Sequence, residues 1–286
     1  MRQEIMMPMK KKAVFLALSV LWALAGYGST VNDGSLRYEV LLTGKMLDDA
    51  KLNVQFIKAL DITFGRFIFL AASDRFYLLG WGGIEPVGQK VAGTVSSFAY
   101  TPDGLLMAVR DKELCHMDLQ GNLSRLFGLP SRSMGIAAGK YVMYVYDRNK
   151  DRQKNALYVI AKGGKYAKLF EIPAPISSVV EMNNAILFAA GSALFHYDIK
   201  SKELTPFFAL PKDKEIISIA ADEASGRIYF STAGSFYIIK GNSAVMISDK
   251  FGGVLKFFDN GLIIFDPDKK LLIRIVGLND MTGVGE

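Results

Sequence analysis

The feature that most constrains this chain is a set of short apolar strands that return every ~40 residues. The clearest copy runs from Val95 to Leu126. Val95–Tyr100 reads as a strand, Thr101-Pro102-Asp103-Gly104 as a turn and Leu105–Val109 as a second strand. Arg110-Asp111-Lys112 turns into a third strand, Glu113–Leu119, and Gln120-Gly121-Asn122 into a fourth, Leu123–Phe127. Asp, Asn and Gly supply the side-chain caps and positive-φ positions that tight turns need.

The second strand of each unit is the most apolar and the best anchor. It recurs as Phe67–Ala71, Leu105–Val109, Tyr141–Val145, Ala185–Ala189, Arg227–Ser231 and Gly261–Phe265. A third strand follows each: Arg75–Leu79, Glu113–Leu119, Ala156–Ala161, Ala193–Ile199, Ser235–Lys240 and Lys270–Val276. Units one to five also carry a candidate outer strand: Glu85–Val91, Leu123–Leu129, Tyr166–Ile172, Leu204–Leu210 and Ala244–Ser248. The sixth unit runs out at Leu278 after its third strand, while Leu36–Leu42 is an alternating strand to spare at the other end. The economical solution lends that strand to the last unit as its outer strand, which closes a ring and covers open edges. The expectation is therefore an all-β chain: a six-bladed β-propeller of four-stranded blades, its ring closed by the N-terminal strand. Blades occupy 55–278, with a closing strand and connector over 26–54 and a loose tail at 279–286. Within the connector, Lys45–Val54 reads as a short helix or an irregular link.

Residues 1–25 read as a signal peptide. Lys10-Lys11-Lys12 precedes an apolar run from Ala13 to Leu24, and Ala23-Leu24-Ala25 is an A-x-A-like cleavage site. The run is shorter than the ~20 residues a spanning helix needs. Cleavage near Ala25 and a periplasmic or secreted, bacterial location are the expectation; membrane association follows only if the segment is retained. Lys+Arg 34 against Asp+Glu 28 gives a formal charge of +6, part of it in this leader. With Cys115 as the single cysteine, no internal disulfide can form, so stability must come from buried apolar area.

The apolar strands, the P-D-G turn at Thr101–Gly104 and the L-x-x-x-D-L strands Leu114–Leu119 and Leu194–Ile199 resemble the six-bladed propellers of the NHL, SMP-30-like and TolB-like groups. Those groups include hydrolases, binding modules and ligand sensors, so the resemblance implies a fold and leaves the function open.

Chemistry-bearing residues are sparse. His116 and His196 fall at one repeat position two blades apart, where they cannot share an ion at ~2 Å. Cys115 has no base or orienting motif around it. A channel metal would need several carboxylate or amide ligands, and Asp61, Glu181, Asn183, Asp222 and Asp259 fall mostly in turns, where capping is the expected job. There is no G-x-S-x-G elbow and no phosphate-binding glycine loop. Aligning the first strands puts Ala59, Ser97, Gly135, Ser178, Ser218 and Lys256 in one column. Five are small, as crowding near an axis requires; Lys256 stands out and needs an acidic partner, water or an anionic ligand. The turn 147–155 of unit three is longer than its equivalents and carries Arg148, Lys150, Arg152 and Lys154, so it is a candidate binding loop. Two Asp dilute its charge and no aromatics interleave, which argues against nucleic acid.

The reading from sequence is a monomeric, exported, non-catalytic binding scaffold, with no cofactor. It would engage an envelope protein or a small anionic ligand through Lys256, Arg148, Lys150, Arg152 and Lys154. The alternative is a metal-dependent lactonase-like hydrolase with its site in the central channel.

Overall fold

In a computed structural model, the described residues are 30–33, 36–49, 59–63, 66–71, 75–80, 83–101, 105–118, 122–160, 165–241, 243–258 and 260–278. The expected leader, the turn positions 102–104, Asp259 and the tail 279–286 lie outside them, as do the side chains of 59–63 and 66–71.

The described chain is built of antiparallel strands in six sheets, five of them four-stranded. Blade one is β3 (Ala59–Thr63), β4 (Arg66–Ala71), β5 (Arg75–Gly80) and β6 (Gly83–Val87). Blade two is β7 (Val95–Tyr100), β8 (Leu106–Arg110), β9 (Glu113–Met117) and β10 (Leu123–Gly128). Blade three is β11 (Met134–Ala138), β12 (Met143–Asp147), β13 (Asn155–Ile160) and β14 (Tyr166–Ile172). Blade four is β15 (Ile176–Met182), β16 (Ala185–Ala190), β17 (Ala193–Asp198) and β18 (Leu204–Ala209). Blade five is β19 (Ser218–Asp222), β20 (Arg227–Ser231), β21 (Phe236–Lys240) and β22 (Ser243–Ser248).

The remaining sheet joins the two ends of the chain. Its order is β1 (Thr30–Asp33), β2 (Leu36–Leu42), β25 (Leu271–Val276), β24 (Gly261–Asp266) and β23 (Val254–Phe258). Strand β2 runs antiparallel to β25, from Arg37 opposite Val276 to Leu42 opposite Leu272. Six four-stranded blades were expected, and the structure has five. The composite sheet has a further strand because β1 folds back on β2, Thr30 opposite Glu39 and Asp33 opposite Leu36. A short helix, Gly44–Asp49, buries Leu47 against Leu42, Leu79 and Phe265. The first strands lie side by side in the order β3, β7, β11, β15, β19, β23, and β23 also touches β3.

Two expected boundaries move for local reasons. The second strand of blade three starts at Met143 rather than Tyr141, because the Gly139 N–H donates to the Val142 carbonyl at 2.8 Å and makes residues 139–142 a turn. The third strand of blade two stops at Met117, because Asp118 caps the next turn by accepting the Asn122 N–H at 2.8 Å.

Apolar side chains on facing strands fill the space between blades. Phe98, Ile136, Val179, Ile219 and Leu255 each face the preceding blade from a first strand. Phe188 and Phe230 are wholly buried and stack on Phe170 and Tyr237 at 5.0 and 4.8 Å. Each such side chain removed from water contributes about 2–3 kcal/mol.

This facing pattern corrects the column read from sequence. One residue before each of those positions stand Ser97, Gly135, Ser178, Ser218 and Val254; one residue after stand Ala99, Ala137, Val180, Ala220 and Lys256. Lys256 therefore sits two positions, roughly 6–7 Å, farther along its strand than the serines. Val254 is thus the counterpart of the serines, and the alignment read from sequence ran two residues ahead on β23. Gly253 takes φ +101°, and a Cβ on Gly252 would meet the Thr232 and Ala233 backbone at 2.4 and 2.6 Å. The chain enters the composite sheet pressed against blade five.

The serine column is more than a response to crowding. Ser97 Oγ accepts the Ile136 N–H at 3.2 Å, and Ser218 Oγ accepts the Leu255 N–H at 3.0 Å. Ser178 Oγ donates to the Ile219 carbonyl at 3.5 Å, and Ser177 Oγ to the Ile216 carbonyl at 2.7 Å. Each hydroxyl thus ties one first strand to the backbone of the next. Such a bond contributes on the order of 1 kcal/mol.

Candidate ligand site in the axial cavity

The first strands of blades two to five, β7, β11, β15 and β19, together with β23 of the composite sheet, surround a cavity of about 250 Å³. Small residues on these strands leave that space open. Its wall carries Ser97, Ser177, Ser178 and Ser218 together with three charged groups, Arg148, Lys256 and Glu181.

Two of the residues singled out from sequence therefore share one site, and the other three do not. Arg148 follows the last residue of β12, and its N–H donates to the Ser133 carbonyl at 2.8 Å, which puts it at the end where first strands begin. Lys256 lies deeper, in the middle of β23, half-buried. Lys150 is drawn away to Glu215 at 2.7 Å, in the connector ahead of β19. Arg152 pairs with Asp147 at 2.9 Å, a carboxylate only 5 % exposed. Lys154 is exposed on the surface; Lys168, by its 2.7 Å hydrogen bond, holds Glu171 below the usual carboxylate range, and Lys154 adds to that. The expected basic loop is thus a strap pinned by Asp147 and Glu215, with one cation, Arg148, delivered to the cavity.

Glu181 belongs to the far end of the cavity, near the hairpin that closes β15 onto β16. Its Oε2 accepts the Lys140 N–H at 3.1 Å and the Tyr144 hydroxyl at 2.8 Å. Burial, and then the bond to Glu181, pushes the Tyr144 hydroxyl far above the ordinary tyrosine range. Gly139 makes room for this contact: a Cβ there would collide with Glu181 Oε2 and the Tyr144 ring. The sequence reading weighed Glu181 only as a turn residue or metal ligand. What it missed was the buried Tyr144 on the neighbouring blade, the second residue of β12, whose only signal is a phenol among mostly apolar neighbours.

The donors among the described residues do not gather as a channel metal would require. Among the described residues no three His, Cys, Asp or Glu side chains come together as a metal-binding group. Glu181 is the only described carboxylate in the cavity wall, and it is engaged by Tyr144 and Lys140. Asp222 caps the turn after β19, its Oδ1 accepting the Ala224 N–H at 3.1 Å. Asn183 sits at φ 51° in a hairpin turn. His116 and His196 remain on third strands of blades two and four. Cys115 is buried, and burial raises its thiol above the ordinary range.

No known family pattern matches the sequence, and no curated protein matches it. Solved structures do match the fold. A gluconolactonase from Xanthomonas campestris aligns at TM-score 0.66 and 10 % identity, over 85 % of this chain and 90 % of that one. A second structure, a putative gluconolactonase, aligns at TM-score 0.63 and 12 % identity, over 86 % and 93 % of the two chains. Regucalcin from Agrobacterium tumefaciens, a calcium-binding protein, aligns at TM-score 0.63 and 13 % identity, over 77 % and 90 %. These neighbours agree, at the level of fold, with the SMP-30-like resemblance read from the repeats. The protein is an all-β propeller built of four-stranded blades.

Proposed function

We propose that the axial cavity is the working site of this propeller and that it binds a small acidic ligand. The observation that carries this reading is the convergence of Arg148 and Lys256 on one cavity, although 108 residues separate them in the chain. Two cations against one carboxylate favour an anion, and Arg148 at the mouth is placed to meet it first. The serine hydroxyls below suit a ligand with hydroxyl groups. A sugar acid or its lactone is the class that the gluconolactonase and regucalcin likeness favours.

The same likeness favours a second reading over a scaffold with no ligand, namely a lactonase-like hydrolase acting in the central channel. There Arg148 or Lys256 would draw electron density from a lactone carbonyl as charge develops on its oxygen. The donor set among the described residues supports no metal-dependent route, so that activity would rest on these side chains. Export through residues 1–25 places either function in the periplasm or outside the cell. We read the composite sheet as a sixth blade, its β2–β25 ladder and the β23–β3 contact closing the ring.

Calorimetric titration of the purified protein with gluconate and with glucono-lactone, alongside acid release followed at constant pH, separates these readings. Saturable gluconate binding, weakened about tenfold or more in Lys256→Met, is expected for a binding protein. Lactone hydrolysis above background that falls in the same variant establishes the hydrolase. Neither binding nor turnover overturns both. Chelator treatment leaves either result unchanged.

A further inference from the structure

One side of the axial cavity is built by a strand whose tyrosines the sequence reading passed over. On β12, Tyr144 and Tyr146 alternate with apolar residues, and Arg148 follows one place past the strand's end. Strand alternation puts all three on one face. That face meets blade four, where both tyrosines join a buried cluster with Ile176 and Val179.

Tyr146 pairs with Gly135 of β11. A Cβ on Gly135 would meet the Tyr146 ring at 2.3 and 2.4 Å and its hydroxyl oxygen at 2.8 Å, so the phenol lies across the glycine. Gly135 stands in the column that Ser97, Ser178 and Ser218 fill on other blades. The glycine thus gives up its own side chain for a longer one from the next strand, and Tyr146 joins the cavity wall beside those serines. The serine hydroxyls each hold a backbone group of the next first strand. The Tyr146 hydroxyl makes no hydrogen bond among the described residues, although Tyr146 is only 7 % exposed. The Arg148 guanidinium likewise has no ion pair among them. Other buried tyrosines on second strands are occupied differently. Tyr144 donates to Glu181. Tyr229, paired with Ala220, stacks on Phe257 with centroids 6.2 Å apart, beside a separate cavity of about 180 Å³ that Asp222 and Arg227 already line.

We propose that Tyr146 and Arg148 form the acid-recognising end of the axial site. The Tyr146 hydroxyl donates to one oxygen of the ligand's carboxylate, and the Arg148 guanidinium donates to the other. This rests on the reading of the cavity as a site for a sugar acid, and it fixes how that ligand lies. The carboxylate stays at the mouth, and the hydroxylated chain runs inward past Ser178 and Ser218 toward Lys256. A carboxylate has lone pairs for both donors, and bonds to an ionised group are the stronger kind. Tyr146 is then a specificity-determining residue, and Gly135 positions it.

The test is calorimetric titration of the whole protein with gluconate and with sorbitol, the same carbon chain without the acid. Wild type is expected to bind gluconate saturably and sorbitol at least about tenfold more weakly. Tyr146→Phe keeps the ring over Gly135. It lowers gluconate affinity about tenfold, the effect of one hydrogen bond to a charged group, and leaves sorbitol affinity unchanged. Gly135→Ala tilts the phenol away and lowers gluconate affinity at least as much; adding Tyr146→Phe to it costs nothing further. Undiminished gluconate binding in Tyr146→Phe overturns the assignment and leaves the axial site resting on Arg148 and Lys256. Equal losses for gluconate and sorbitol mean that Tyr146 holds a ligand hydroxyl, and overturn it too. Absence of gluconate binding in wild type overturns the axial-site reading itself, and this assignment with it.

Discussion

Two crevices of this propeller are built on one plan and completed differently. Between blades three and four, a buried tyrosine meets a carboxylate on the next first strand, and a glycine clears the space for them. Between blade five and the composite sheet, a buried tyrosine meets a phenyl ring, and a cavity remains beside it. The repeat thus fixes where a side chain points, while its partner comes from a different repeat and is free to vary.

Several substitutions test this contrast. Glu181→Ala carries the largest expected effect, about 3 kcal/mol, because it leaves the buried Tyr144 hydroxyl without its charged acceptor. Chemical denaturation measures it, and a loss below about 1 kcal/mol would mean that the filled crevice does not depend on its carboxylate. Tyr144→Phe removes one partner only and should cost about 2 kcal/mol.

Alkaline titration sharpens the same point. The Tyr144 hydroxyl titrates higher in the folded protein than in the unfolded chain. The folded state therefore keeps a proton that the unfolded state loses above about pH 10. The associated stability is complete below that pH and declines as pH rises beyond it. Stability curves of wild type and Tyr144→Phe should converge in that range; parallel curves would contradict the assignment.

Tyr229→Phe is expected to change stability by less than about 0.5 kcal/mol, since the hydroxyl removed has no partner to lose. A cost near that of Tyr144→Phe would show that the open crevice is satisfied after all. The smallest effect is expected for Lys150→Ala. Its pair with Glu215 is exposed at both ends, 69 % and 46 %, and such pairs contribute about 0.2–1 kcal/mol. Its informative readout is gluconate affinity, because freeing the strap moves Arg148 at the mouth of the cavity.

Much of the fold was legible because its information is local. A blade is a run of hairpins, so alternation, turn residues and a ~40-residue period report it without knowledge of any distant contact. Even the pairing of Leu36–Leu42 with Leu271–Val276 could be inferred, since a strand missing at one end matched a strand spare at the other. The strand β1 was not foreseen; its four residues follow an expected leader and carry no periodic signal long enough to read.

The site was half legible. Lys256 and Arg148 stood out, one as a cation in a column of small residues and the other in an overlong turn, and both reach the cavity. Lys150 and Arg152 carried the same signal but are held by Glu215 and Asp147. No sequence rule ranks a nearby acid above a distant cavity. Tyr144 and Tyr229 were passed over because a tyrosine in a mostly apolar strand reads as core until its neighbour is known.

The sequence by itself determined the strands, their order and the small residues that let first strands crowd together, because these follow from periodicity and side-chain volume within one repeat. Only the tertiary structure decided which charges share a cavity, that Lys256 lies two positions deeper than the serine column, and which buried tyrosine has a partner. Those outcomes depend on contacts between blades, where backbones come as close as Gly252 to Thr232 and Ala233. A shift of one residue there turns every side chain on the strand to the other face, and nothing within a single repeat records it.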